Sequence, residues 1–323
     1  MDKELFTNFI IYIAVTLSIL ITLVNVICIT VILACPKLRQ KPPMVFIVNL
    51  LATHLLQGVF VLPIYAVKKS KDYPLDLYPF VCDAWRLSYM LTFYGTCINV
   101  LLVAVDRYVA TKYAMSAKIV LTTKRCRIIC AVAWIYITAL CLIPFIPLER
   151  SRSLKTSKCN YNQPKQWTIF MLMANTVVPF LLVTLIYAYI IQILRQTSST
   201  LQKVNSIRNE TPRKKIKGGQ PKTSSPINKK LTWLTIKITL TYGVTWLPSI
   251  VYYNIVTIAP DTFSAEFYVS DTESLITFFI KYITFFDAVL APIIYCHQSR
   301  DFRRAFRDFR ARIMRNWYAF GKQ

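Results

Sequence analysis

The sequence predicts an all-α membrane protein: a seven-transmembrane helix bundle with a short amphipathic cytoplasmic helix after the seventh span. Three observations predict it. The 323-residue chain is 55% hydrophobic, above the usual share for soluble domains. Seven apolar runs, near 8–34, 44–67, 80–105, 127–148, 167–193, 231–258 and 274–297, are each long enough to cross a bilayer, which takes roughly 20 residues. The formal charge of +24 sits between these runs.

The placement of that charge fixes an orientation. Lys37, Arg39 and Lys41 follow the first run, and Lys112, Lys118, Lys124, Arg125 and Arg127 follow the third. Segment 195–230 holds ten basic residues against one acid, Glu210, and the tail adds Arg300, Arg303, Arg304, Arg307, Arg310, Arg312, Arg315 and Lys322. These are alternate loops, so they share one side, which the positive-inside rule makes cytoplasmic. The N-terminus is then extracellular, as is the loop 260–273, which has no Lys or Arg. The basic balance thus reads as topology and contact with anionic lipid, and nucleic acid is not expected as a partner.

The expected organisation is a short extracellular N-terminus over 1–7, a membrane domain over 8–297 and a cytoplasmic helix and tail over 298–323. The first run is too long for a cleavable signal and lacks a basic flank before it, so it is expected to act as its own signal. Residues 196–228 form a polar third cytoplasmic loop, rich in Ser, Thr, Lys, Asn and Pro, and expected to be disordered. Of nine cysteines, Cys28, Cys35, Cys97, Cys126, Cys130, Cys141 and Cys296 lie in or beside spans and read as free. Cys82 and Cys159 fall at the outer, oxidising surface and are candidates for a pair. The Asn209-Glu210-Thr211 acceptor lies in the basic loop and is expected to be unmodified.

Several short motifs sit at defined depths. Asp106-Arg107-Tyr108 closes the third run, 25 residues after Cys82 with Arg107. At about 1.5 Å per residue that separation is roughly one membrane thickness. A charged group at that depth fits a switch or docking site, or a basic residue reaching out at a helix end. Trp134 lies in the fourth run, and Pro179 interrupts the fifth, eight residues before Tyr187. Thr245-Trp246-Leu247-Pro248 lies in the sixth and Ala291-Pro292-Ile293-Ile294-Tyr295 in the seventh. Intramembrane prolines free backbone carbonyls and create hinges.

In this order across seven spans, from Asn25 to about Arg315, these motifs resemble the rhodopsin-like (class A) G-protein-coupled receptors. The resemblance implies that Asn25 anchors the first span and that Cys82 and Cys159 are disulfide-bonded. It implies that Asp106-Arg107-Tyr108 couples to a heterotrimeric G protein. Trp246 becomes a toggle at the pocket floor and Pro248 a hinge, while Pro292 and Tyr295 form a seventh-span switch with Tyr187 as partner. The protein is then a plasma-membrane receptor with no catalytic residue, metal or cofactor. Receptor kinase and arrestin are expected partners, with phosphorylation on the third cytoplasmic loop (Ser198, Ser199, Thr200, Ser206, Thr223, Ser224 or Ser225) because the tail has few hydroxyls.

The chain departs from the family at several points. His54 stands where the family usually has a sodium-binding aspartate, Ala291 where it has the switch asparagine, and Asp287 where it usually has asparagine. Counting from the inner ends of their runs puts His54 and Asp287 at one depth, about 15 Å in. A direct or water-bridged His54–Asp287 interaction is expected to replace the sodium site, with Thr96 and Asn25 able to complete the network. Two readings stand: a neutral His54 bonded for packing, and a salt-bridged or proton-sensitive pair. No acid lies at Asn228-Lys229-Lys230 to restrain Arg107, Tyr242 replaces the usual Phe below Trp246, and Cys97 replaces an aliphatic partner. Appreciable ligand-independent signalling is therefore expected.

The resemblance places the ligand among Arg86, Tyr89, Met90, Phe93, Met171, Asn175, Trp246, Ile250, Tyr253, Lys281 and Phe285. Amine receptors carry an aspartate where this chain has Tyr89, which argues against a biogenic amine. Arg86 and Lys281, with Lys68 nearby, point to an anionic small molecule or a peptide. Lys281 pairing with Glu273 or Asp271 is the other reading. A retinal pigment is disfavoured, since the Schiff-base lysine of opsins falls at Phe285. The alternative class is a seven-span transporter or channel relaying protons through His54 and Asp287. After the seventh span, Phe302, Phe306, Phe309, Ile313 and Trp317 recur at helical spacing among arginines, the pattern of a helix lying on anionic lipid.

Overall fold

A computed structural model describes residues 3–70, 79–113, 120–145, 165–210, 226–259, 262–264 and 271–320. Seven of its helices are long and apolar enough to cross a membrane. The first is Lys3–Ala34. The second covers Pro42–Lys69. The third is Pro79–Lys112 and the fourth Thr123–Leu142. The fifth combines Lys165–Leu172, a π-turn at Met173–Val177 and Val178–Glu210. The sixth is Pro226–Ile258, the seventh Asp271–Gln298. An eighth, amphipathic helix, Arg300–Phe320, comes after it. The described residues contain no strand.

Two boundaries differ from the sequence reading. The first helix begins at Lys3, ahead of the apolar run that starts near residue 8. The fifth helix continues to Glu210, so the first half of the 196–228 segment is helical. That half contains no Pro or Gly and includes good helix formers such as Leu201, Gln202 and Lys203. Residues 211–225, with Thr223, Ser224 and Ser225, lie outside the described residues, as do Cys159 and most of the loop 260–273.

Prolines shape two spans. Leu62 N–H bonds the carbonyl of Gln57, and Val178 N–H that of Met173, each spanning five residues. Both widened turns sit just before a proline, Pro63 and Pro179. A proline ring clashes with the preceding turn and lacks the N–H that would hold it, and an extra residue relieves that clash. The extra residue also shifts the two halves of the span relative to each other around the helix axis. It turns Asn175 and Thr176 into the buried interior.

Spans one, two and seven pack closely on the outer half. Gly58 sits against the first span, where an added Cβ would lie 2.8 Å from Thr22 Oγ1 and 2.9 Å from Ile21 Cγ2. The Gly58 carbonyl accepts a 2.7 Å bond from Ser18 Oγ, so this approach is itself a contact. Tyr282 of the seventh span donates to the Ile10 carbonyl at 2.9 Å. On the inner side, Phe302 and Ala305 of the eighth helix are buried, and Lys41 Nζ pairs with Asp301 at 2.6 Å.

Candidate functional site

Helical spacing gathers the outer-half aromatic side chains. Trp85, Tyr89 and Phe93 recur every fourth residue on the third span and so stack in one column, with ring centroids 5.7 and 6.1 Å apart. Phe93 reaches Trp246 at 4.9 Å, and Trp246 meets Tyr242 at 5.2 Å. Met90, Phe93, Met171, Trp246 and Ile250 belong to one buried cluster. Asn175 donates to Met171 Sδ at 3.5 Å beside it. Phe285 belongs to a second cluster with Tyr65 and Tyr282, and Tyr89 packs against both clusters. Tyr253 is half-buried, edge-on to Tyr252 at 5.5 Å.

The cations divide. Lys68 Nζ lies 4.2 Å from the Trp85 ring, and Lys281 Nζ 5.7 Å from the Tyr65 ring, over two rings that stack at 6.3 Å. Arg86 instead contacts Asp83 at 3.3 Å, Cys82 Sγ at 3.7 Å and the Phe145 ring at 5.9 Å. Its carboxylate partner lies three residues away on the same helix. The side chains of Glu273 and Asp271 lie outside the described residues. Sequence reading missed Tyr65, Trp85 and Tyr282, although the four-residue aromatic spacing of the third span was a signal for Trp85.

His54 and Asp287 meet in the interior. Their Nε2 and Oδ2 atoms are 3.6 Å apart. Neither imidazole nitrogen, nor Asp287 Oδ1, has a hydrogen-bond partner within the protein. Thr96 and Asn25 do not join the pair. Thr96 donates to the Thr92 carbonyl at 2.8 Å, while Asn25 Nδ2 donates to the Ile21 and Ala288 carbonyls at 2.8 and 2.9 Å. Backbone carbonyls within reach take these donors first. Ala291 is buried and supplies no polar atom. Tyr242 donates to Cys97 Sγ at 3.2 Å, so the two unusual residues below Trp246 bind each other.

A second polar network escaped the sequence reading. Trp134 Nε1 donates to Asn49 Oδ1 at 2.8 Å, Asn49 Nδ2 donates to Asn99 Oδ1, and Asn99 Nδ2 donates to Thr53 Oγ1 at 2.8 Å. It ties the second, third and fourth spans. At the inner face, Arg107 is buried against Asp106, its Nε donating to Oδ2 at 2.8 Å. Asp106 is its ion-pair partner among the described residues. Tyr108 packs on Tyr189 at 5.7 Å. Tyr295 donates to Met44 Sδ at 2.9 Å and meets Phe302 edge-on at 5.2 Å. Tyr187 and Tyr295 are both buried in one hydrophobic cluster. Pro248 and Pro292 lie inside the sixth and seventh helices. Cys82 is disulfide-bonded, whereas the other seven described cysteines carry free thiols.

The family described as 7 transmembrane receptor (rhodopsin family) matches residues 24–295. The chain belongs to this family of G-protein-coupled receptors, whose members are receptors and not enzymes, and it is a multi-pass membrane protein. It is similar to the 5-hydroxytryptamine receptor 1B of Vulpes vulpes, 24% identical over 334 residues, covering 90% of this chain and 83% of that receptor. The same receptor from Homo sapiens is 24% identical over 326 residues, covering 88% and 81%. The alpha-1A adrenergic receptor of Oryzias latipes is 21% identical over 297 residues, covering 85% of this chain and 61% of that one.

Proposed function

We propose that this receptor, with its N-terminus outside the plasma membrane, binds an extracellular ligand bearing a carboxylate or phosphate. Through Arg107 it then activates a heterotrimeric G protein. The convergence of Lys68 and Lys281 on the stacked Tyr65 and Trp85 rings supports the ligand reading. Cations held over aromatic faces at a pocket mouth suit an anion that also buries apolar surface. The amine named in two relatives would find Tyr89, packed between Trp85 and Phe93, where amine receptors place a carboxylate.

Ligand contact with the column from Tyr89 to Trp246 favours a swing of the sixth span about Pro248. That opens the inner face around Arg107, and its size is set by the ligand's differential affinity for the two states. Arrestin and receptor kinase act on the cytoplasmic loops, and the eighth helix rests on anionic lipid. The test is a screen of carboxylates, phosphates, peptides and amines against guanine-nucleotide exchange. Anionic agonists that lose potency in Lys281→Ala are expected. Amine agonists indifferent to Lys281 would contradict the ligand assignment.

A further inference from the structure

Cys28 and Cys296 stand 268 residues apart in sequence, yet their Sγ atoms meet at 2.9 Å. One belongs to the first span and the other to the seventh, directly after Tyr295. Both are free thiols, and among the described residues no other two free thiols touch. Cys28 is 1% exposed. Cys296 is less buried and lines a groove of about 910 Å³ between the first span, the seventh and the eighth helix. One turn away on the first span, Asn25 bonds the Ala288 carbonyl at 2.9 Å, holding the same two helices in register. A disulfide has an S–S length of about 2.05 Å, so less than about 1 Å of sulfur movement separates this contact from a bond.

We propose that Cys28 and Cys296 form a redox site, oxidised by a peroxide to a disulfide that ties the first span to the seventh. The groove gives a small neutral peroxide access to Cys296, so this sulfur reacts first. Its thiolate attacks hydrogen peroxide; the O–O bond breaks, hydroxide leaves, and Cys296 becomes a sulfenic acid. Cys28 then attacks the Cys296 sulfur, the S–S bond forms, and the S–OH bond breaks, its oxygen leaving as water with the Cys28 proton. Two thiols and one peroxide yield one disulfide and two waters. Exchange with a dithiol reverses it, the behaviour of a sensing disulfide, not a structural one.

The bond acts on a segment already under constraint. Tyr295 holds Met44 and Phe302, so a tether at the next residue fixes the joint between the seventh span and the eighth helix. The chemistry does not depend on the ligand or on the proposed coupling, and neither does its test.

The full-length receptor in membranes is treated with hydrogen peroxide, then denatured in SDS so that buried thiols are reachable, alkylated with iodoacetamide, digested and mapped by mass spectrometry. The expected result is a linked Cys28–Cys296 peptide pair, with both thiols lost to alkylation together and both restored by dithiothreitol. In Cys28→Ser, Cys296 is trapped by dimedone as sulfenic acid. In Cys296→Ser, Cys28 stays alkylatable. A disulfide also raises the thermal midpoint of the oxidised wild type, reversibly, and leaves that of either variant unchanged. Wild-type Cys28 and Cys296 that remain alkylatable under peroxide while Cys35 oxidises would overturn the proposal. So would Cys296 oxidation without linkage to Cys28.

Discussion

The imidazole of His54 and the carboxylate of Asp287 face each other across 3.6 Å, both at most 2% exposed, in the interior between the second and seventh spans. They face each other, while Asn25 and Thr96 are bound to backbone carbonyls. Removing either side chain leaves the other buried polar group without its facing partner, at a cost of about 1–3 kcal/mol. His54→Ala and Asp287→Ala should each lower thermal stability strongly. The double variant should recover part of the loss, with a coupling energy of about 1 kcal/mol or more. Denaturation of the four proteins in detergent measures it, and strictly additive losses would remove the pairing.

The same geometry implies indifference to sodium. A hard cation needs oxygen ligands, and the pocket presents an imidazole where the family has a carboxylate. Replacing sodium by N-methylglucamine should leave the melting temperature of the wild type unchanged within error. A sodium-dependent rise would show that Asp287 holds the ion without a second carboxylate.

At the inner face, Arg107 is latched by its own neighbour, Asp106. No described carboxylate of the sixth span reaches it. Ligand-independent nucleotide exchange should therefore rise with receptor density. Asp106→Asn should raise it several-fold further by releasing the buried guanidinium to other partners. A flat basal signal across expression levels would contradict this.

Packing of the first two spans can be tested at one atom. Gly58→Ala places a Cβ within 2.9 Å of Ile21 Cγ2 and closer to Thr22 Oγ1, and overpacking of this kind costs about 1–3 kcal/mol. Gly243→Ala meets nothing within 4 Å, and alanine is the better helix former by about 1 kcal/mol. Melting temperatures should move in opposite directions. A neutral Gly58→Ala would mean the helices part easily.

Hydropathy made the seven spans legible, since each is a continuous apolar run and the charges fall between them. Depth counting brought His54 and Asp287 together because both measure position along a helix axis. Counting along an axis does not give rotation about it. The Asn49–Asn99–Thr53–Trp134 network and the Cys28–Cys296 contact depend on which faces meet, and elsewhere the widened turns before Pro63 and Pro179 shift the faces of the second and fifth spans partway along. Arg86 shows the same limit. Its depth suited the pocket, and only the structure shows that its guanidinium contacts Asp83, three residues earlier. The helix of residues 196–210 was hidden because polar composition, which marks the loop, says little about local helix propensity.

The most direct test of the receptor assignment is guanine-nucleotide exchange by purified receptor and G protein, driven by an anionic agonist. Stimulation is expected in the wild type. Lys281→Ala should lose at least tenfold in agonist potency with the maximal response retained, and Arg107→Ala should lose exchange at any dose. Removing one charge-assisted contact costs about 1.5–3 kcal/mol, or roughly tenfold and more in potency. Full potency in Lys281→Ala, or undiminished exchange in Arg107→Ala, would contradict the assignment.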